Sequence, residues 1–200
     1  VGMDWMRSLI WMDYRLAVLV AVGIPLVLLI WSLVKQSVPL IRLMVIYWRV
    51  ASLLMISLYL MIGGAPIGFV SSISARILIP ISLWFWIDLN EEIEDMPPSR
   101  ALKLGFTAWR WAVTVFMGIG AIAQLPSLQC AFLPTQELIQ NDFCRLWLEA
   151  PWAYKQLFHN ATSERFLGFI GILGLLIYVA YLSYFVLIRL GKQGRTAVNQ

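Results

Sequence analysis

The sequence predicts an all-α fold, a polytopic transmembrane helix bundle of about five spans that forms one domain over residues 1–200. Three observations predict it. Hydrophobic residues make up 60% of the chain and charged residues 13%, with a mean hydropathy of +0.78, an apolar excess that a soluble domain of this length has too little interior to hide. The apolar residues gather into long uncharged runs rather than short amphipathic segments. The 15 Lys and Arg sit at the ends and flanks of those runs, as they do around membrane helices. Nucleic acid is not an expected partner of the net charge of +4, because no basic stripe is interleaved with aromatics.

Residues 1–15 read as an interfacial helix rather than a removable signal: Asp4, Arg7, Ser8 and Arg15 share one side, and Trp5, Met6, Leu9, Ile10 and Met12 the other. Asp13 interrupts the apolar face. The first span, near 16–34, is the uncharged run between Arg15 and Lys35, with a kink expected at Pro25. The 45 residues from Leu43 to Ile87 hold two more, near 43–62 and 68–87, around the turn-like Gly63-Gly64-Ala65-Pro66-Ile67-Gly68. The fourth lies near 106–127. After a long loop over 128–165, the fifth, near 166–188, consists of the 23 uncharged residues from Phe166 to Ile188. Trp84, Trp86, Trp109 and Trp111 fall where interfacial anchors are expected.

With the basic C-terminal tail inside, alternation puts the 128–165 loop and the N-terminus outside. Nine Lys or Arg then lie inside (35, 42, 49, 100, 103, 110, 189, 192, 195) and six outside (7, 15, 76, 145, 155, 165). A rival with four spans and a re-entrant segment near 71–87 gives the same split, so charge does not separate the two. Length favours five spans, because 45 residues supply two full helices with their backbone groups satisfied internally.

Arg49, Asp88, Glu91, Glu92 and Arg110 form a candidate intramembrane charge network near the inner interface, the two arginines pairing with the carboxylates and locking spans two, three and four. A lipid-headgroup or anionic-ligand pocket and an ion path are the alternatives. Arg76 is an isolated intramembrane charge, free to snorkel outward or to meet a backbone carbonyl. The strings Tyr47-Trp48-Arg49-Val50-Ala51 and Ala108-Trp109-Arg110-Trp111-Ala112 suggest a short parallel repeat. The acidic run Asp88, Glu91, Glu92, Glu94 and Asp95, stopped by Pro97-Pro98, lacks the second carboxylate cluster that a Mg²⁺-dependent transferase needs and reads as a solvated helix end. Cys130 and Cys144 share the outer loop, where a disulfide is expected. His159 is the sole histidine, which under-supplies a metal site and excludes bis-histidine haem ligation within the chain. No catalytic residues and no metal are assigned.

Four strings carry a resemblance: Trp11-Met12-Asp13-Tyr14-Arg15-Leu16, the run from Ala75 to Ile93, Trp109-Arg110-Trp111-Ala112-Val113, and the segment from Arg189 to Arg195. Together they are similar to a cyanobacterial family of uncharacterised multi-pass membrane proteins, over nearly the whole chain. The resemblance implies a thylakoid or plasma membrane and transfers no catalytic motif. The expected function is a non-enzymatic accessory or assembly subunit of a larger membrane complex, with membrane lipids and other integral subunits as partners, a photosystem or its assembly intermediate among them. The small-residue stretches Gly63-Gly64-Ala65, Gly118-Ile119-Gly120-Ala121 and Gly168 to Gly174 would permit close helix contacts within the chain or to a partner. No cofactor is predicted; bound lipid is expected, and chlorophyll or carotenoid stays open. A small transporter or channel, or a lipid- or pigment-handling protein, is the alternative function.

Overall fold

The computed structural model describes residues 3–97 and 101–197, without the side chain of Gln193. Pro98 of the expected helix stop and Arg100 of the inner basic set lie outside the described residues. Five helices are long and apolar enough to cross a membrane: α1 (Asp4–Val34), α2 (Val38–Ile62), α3 (Ile67–Trp84), α5 (Ala101–Phe132) and α8 (Glu164–Lys192). Between them lie α4 (Ile87–Glu94), α6 (Thr135–Gln140) and α7 (Asp142–Phe158). The arrangement is that of a polytopic helical membrane bundle.

The described part of the expected interfacial segment, residues 3–15, is not a separate helix. From Asp4 the chain is helical without a break to Val34, because nothing between Arg15 and Leu16 ends a helix and both charged faces of the first turns find partners. Arg7 reaches Glu149 of α7 through two hydrogen bonds of 3.0 Å, and Asp13 turns inward. The expected disturbance at Pro25 is a π-helical segment over Val18–Gly23, in which the Ile24 N–H bonds the Leu19 carbonyl. The Val20 carbonyl thereby loses its usual donor, Ile24, and Pro25 has no N–H for the Ala21 carbonyl. Two side chains supply the missing donors: Trp109 Nε1 donates to Val20 O at 2.8 Å and Tyr47 Oη to Ala21 O at 2.6 Å. Their rings meet edge to face, with centroids 5.0 Å apart. Trp109 and Trp86 are therefore core residues rather than interfacial anchors, 4% and 5% exposed. The two strings of the expected repeat sit in different surroundings, Arg49 exposed and Arg110 buried.

Gly63 and Gly64 end α2 in a Schellman motif. The Ala65 N–H bonds Leu60 O and the Gly64 N–H bonds Met61 O, with Gly64 at φ 67°. The chain reverses into α3 within a few residues. α3 stops at Trp84, and Trp86, in extended conformation, starts α4 in a new direction.

The 128–165 segment is a helical cap rather than a loop. α5 continues as a 3-10 turn over Leu125–Phe132, and α6 and α7 follow. A disulfide joins Cys130 to Cys144, inside a small core with Ile10, Met61, Phe69, Leu138 and Leu148. The Asn141 side chain caps α7 by accepting from the Phe143 and Cys144 N–H groups. A second, larger core fills the opposite end, around Leu43, Met44, Leu83, Leu89 and Phe106. The bundle thus has a disulfide-bearing end and a basic end.

α8 is the least embedded of the five long helices, with only 6% of its apolar window buried. It docks mainly on α2, along a glycine seam, and its Phe185 ring meets Phe85 and Trp86 at the α3–α4 break. A Cβ on Gly63 would lie 2.6 Å from Gly168 Cα, and one on Gly171 would lie 2.9 Å from Leu60 N. Backbone meets backbone there, as small residues allow between membrane helices.

Candidate functional site

Charge inside a low-dielectric bundle is costly unless paired, and the two buried arginines among the described residues, Arg76 and Arg110, are both engaged. Arg76, on α3, is not isolated. Its guanidinium forms a two-point ion pair with Asp13 of α1, Nη1 to Oδ1 at 3.2 Å and Nη2 to Oδ2 closer still. The side chain is 7% exposed and that of Asp13 23%. It reaches Asp13 by crossing α5 over Gly120, where a Cβ would lie 1.9 Å from Nη1. The Phe116 ring is 5.9 Å away. One turn nearer the disulfide end, Ser72 and Gln124 bond each other and Ser127 bonds the Gln124 carbonyl. The carboxylate that seemed to spoil the apolar face of α1 is therefore the partner of the arginine that seemed to have none.

Arg110, on α5, lies at the other end and also departs from expectation. It pairs with Asn90 Oδ1 rather than with Asp88, Glu91 or Glu92, and its guanidinium stacks on Trp84, 3.9 Å from the ring centroid. The break between α3 and α4 explains the choice. Asn90 Nδ2 donates to the carbonyls of Trp86 and Leu83, capping the interrupted helix and leaving Oδ1 aimed at Arg110. Glu91 and Glu92 point outward on α4 and are exposed. Asp88 accepts the Ala197 N–H of the C-terminal segment, whose Arg195 donates to the Phe85 and Trp84 carbonyls. Trp84 Nε1 completes the cluster by donating to Thr114 Oγ1 at 3.0 Å.

Arg49 stays out of that cluster. It is exposed, and among the described residues no ion pair joins it to Asp88, Glu91 or Glu92. Instead it lines a cavity of about 210 Å³ between α2, α3 and α8, together with Arg189. The expected five-residue network is thus three arrangements: Arg110 with Asn90 and Trp84, Asp88 with the C-terminal segment, and Arg49 in a cleft. Asn90 carried no charge to announce it, and its role depends on a helix break that periodicity does not locate.

The two buried arginines are not joined by polar groups. Ile79 and Leu83 of α3 and Val113 and Met117 of α5, all 0% exposed, fill the layer between them. Each site holds helices together across its own end: α1, α3 and α5 at Arg76, and α3, α4 and α5 at Arg110. At the capped end the Tyr59 hydroxyl lies 3.2 Å from His159 Nε2, and Lys155 and Glu164 pair at 3.6 Å across the turn into α8. Among the described residues no group of three His, Cys, Asp or Glu could hold a metal ion.

No curated protein and no solved structure matches the chain. One family does, over residues 7–198, described as "Protein of unknown function (DUF3177)". That match runs through all five long helices, the cap and the C-terminal segment, and the chain belongs to this family of proteins of unknown function.

Proposed function

We propose that the protein is a non-enzymatic accessory or assembly subunit of a larger membrane complex, acting by binding other integral subunits rather than by turning over a substrate. The observation that carries this reading is Gly118. Of the glycines in the three small-residue stretches, it alone has nothing within 4 Å of its added Cβ. Gly63, Gly168, Gly171 and Gly174 are occupied by the α2–α8 seam and Gly120 by Arg76. Gly118 lies on α5 in the same helical stripe as the exposed Trp111, Val115 and Ile122, a backbone-deep notch on an apolar face suited to a transmembrane helix of another subunit. The interior supports the same reading, since its buried arginines and freed carbonyls fix helices to one another.

The orientation follows from the two ends. A disulfide belongs on the oxidising side and a basic end on the cytoplasmic side, so the cap over 128–165 is lumenal or periplasmic, the C-terminus cytoplasmic and the N-terminus outside, with five spans. The resemblance to a cyanobacterial family supports a thylakoid or plasma membrane, a photosystem or its assembly intermediate as the host complex, and pigments as secondary companions.

Affinity purification in mild detergent, followed by native gels, tests the reading with Gly118→Leu. The variant should melt like the wild type yet lose its co-purifying membrane subunits. Unchanged co-purification, or a wild-type protein that runs alone from intact membranes, refutes it, and solute flux by the purified protein in liposomes would establish the transporter instead.

A further inference from the structure

We propose that Arg49 anchors an intramembrane ion pair with a partner subunit, docking a transmembrane helix that carries an aspartate or glutamate near its middle into the groove between α3 and α8. Such a contact presupposes the subunit role proposed above and adds a charged site to the notch at Gly118. The first observation is depth. Arg49 is the twelfth of the 25 residues of α2, about 16 Å along the axis from Val38 and about 20 Å from Ile62. The carbonyl of Val50, the next residue, lies 3.5 Å from the Tyr178 hydroxyl, and Tyr178 stands beside the centre of the 23 uncharged residues from Phe166 to Ile188. Arg49 is therefore rooted near mid-membrane. Its side chain leans toward the N-terminus of α2 and so toward the basic end, but half a hydrocarbon core is about 15 Å, much longer than an arginine side chain.

A charge at that depth is expected to turn inward and find a partner. Arg76 and Arg110 do so, both buried and both engaged. Arg49 is exposed, and among the described residues no ion pair, hydrogen bond or ring contact engages its guanidinium. Arg189, on the wall of the same cavity, already holds its guanidinium over the Phe185 ring, 6.0 Å from the centroid. Arg49 is thus the cation that calls for a counter-charge from outside the chain.

The packing leaves that side of the bundle open. The α2–α8 seam runs from the Gly63–Gly168 contact to that of Ile56 with Gly174, and it ends about two turns before Arg49. On the α3 side of α8 lie cavities of about 210 and 370 Å³ that share Leu78, Tyr178 and Leu182, with Arg49 on the wall of the first. No carboxylate lines either one among the described residues. The rims are apolar and exposed, Ile77 and Ile81 on α3 and Val179 and Val186 on α8.

Depth also selects the anion. A lipid phosphate stays at headgroup level, about 15 Å from the midplane. An inorganic anion would have to leave water for a cavity walled by Leu78, Ile81, Leu182 and Val186. A carboxylate borne on a membrane helix is held at the required depth by the helix itself, which brings apolar ridges to cover the rims, and opposite charges within a bilayer pair with one another.

The test is energy transfer in phosphatidylcholine vesicles between the labelled full-length protein and a synthetic single-span polyleucine peptide with Glu, Gln or Leu at its centre. The Glu peptide should associate about tenfold more tightly than the Leu peptide. Arg49→Leu, which should fold because the side chain is exposed and without contacts, should remove that preference, and Arg49→Lys should keep most of it. Gly118→Leu should leave it unchanged, so a failure at Arg49 is separable from a failure of the α5 notch. In purification from membranes, Arg49→Leu should lose a subunit that Arg49→Lys retains. Equal association of the three peptides, a preference that survives Arg49→Leu, or co-purifying subunits unchanged by Arg49→Leu would each overturn the proposal. So would a preference abolished when phosphatidylglycerol replaces phosphatidylcholine, which would make a lipid phosphate the partner.

Discussion

Replacing Asp13 by Leu removes the partner of a guanidinium that is 7% exposed and has no other carboxylate in contact among the described salt bridges. Breaking a buried pair from one side costs about 3–5 kcal/mol, because the remaining charge stays desolvated. Arg76→Met should cost less, toward the lower end of that range, since Asp13 at 23% exposure keeps part of its hydration. The double variant should recover most of the loss, because an apolar pair of similar volume is often neutral or better in such a position. The two single losses should therefore be strongly non-additive, with a coupling of roughly the size of the larger one. Gly120→Ala should act in the same direction from a third helix, since its Cβ would lie 1.9 Å from Nη1 and push the guanidinium off Asp13. For a chain of this length the single variants should melt roughly 6–20 °C below wild type, followed by tryptophan fluorescence in a lipid–detergent mixture. Single variants that melt with the wild type, or a double variant whose loss equals the sum of the singles, would refute the clamp across α1, α3 and α5.

Tyr47→Phe and Trp109→Phe should each lower unfolding stability by about 1–3 kcal/mol, because each leaves a buried carbonyl without a donor; the effect of Tyr47→Phe should shrink when Pro25→Ala restores an N–H to Ala21 O. Reducing the Cys130–Cys144 bond should cost about 3 kcal/mol for a closed segment of roughly 15 residues, with mass spectrometry of the unreduced protein finding the linked peptide and two freely alkylated thiols counting against it. Gly168→Val should overpack the seam against Gly63 by about 1–3 kcal/mol, loosening α8 first, which limited proteolysis between α7 and α8 would detect as faster cleavage than in Gly118→Val.

The long helices were legible because their signal is length and the absence of charge, and both survive without tertiary information. Their ends were less so. α2 starts at Val38 rather than near 43, and α5 runs past 127 to Phe132, because a helix continues beyond the hydrocarbon wherever its last turns still have something to pack on. In sequence the cap resembles connecting chain, since α6 and α7 are short and amphipathic with Pro134 and Pro151 among them; the disulfide and Ile10 of α1 give it a core that no local pattern shows. The π-turn in α1 had one visible cue, Pro25. The two donors that repair it come from α2 and α5, 26 and 89 residues away, a distance at which local pattern carries no information.

Pairing charges by sign and by expected depth put Arg110 and Arg49 with the acidic run of α4 and left Arg76 alone, and the structure reverses both. The reason lies in how a buried guanidinium is satisfied. It needs acceptors at fixed angles more than it needs a nearby negative residue. Asn90, already fixed by two backbone carbonyls, and the face of Trp84 offer that geometry to Arg110, whereas Glu91 and Glu92 lie on the outer side of a short helix that turns away at Trp86. Asp13, 63 residues from Arg76, meets it only because α5 has no side chain at Gly120. Such contacts tie α1, α3, α4 and α5 into one unit, and the glycine seam ties α8 to α2 without closing it onto α3. Arg49, left out of the first arrangement, therefore stands beside the second, lining the cavity between α2, α3 and α8.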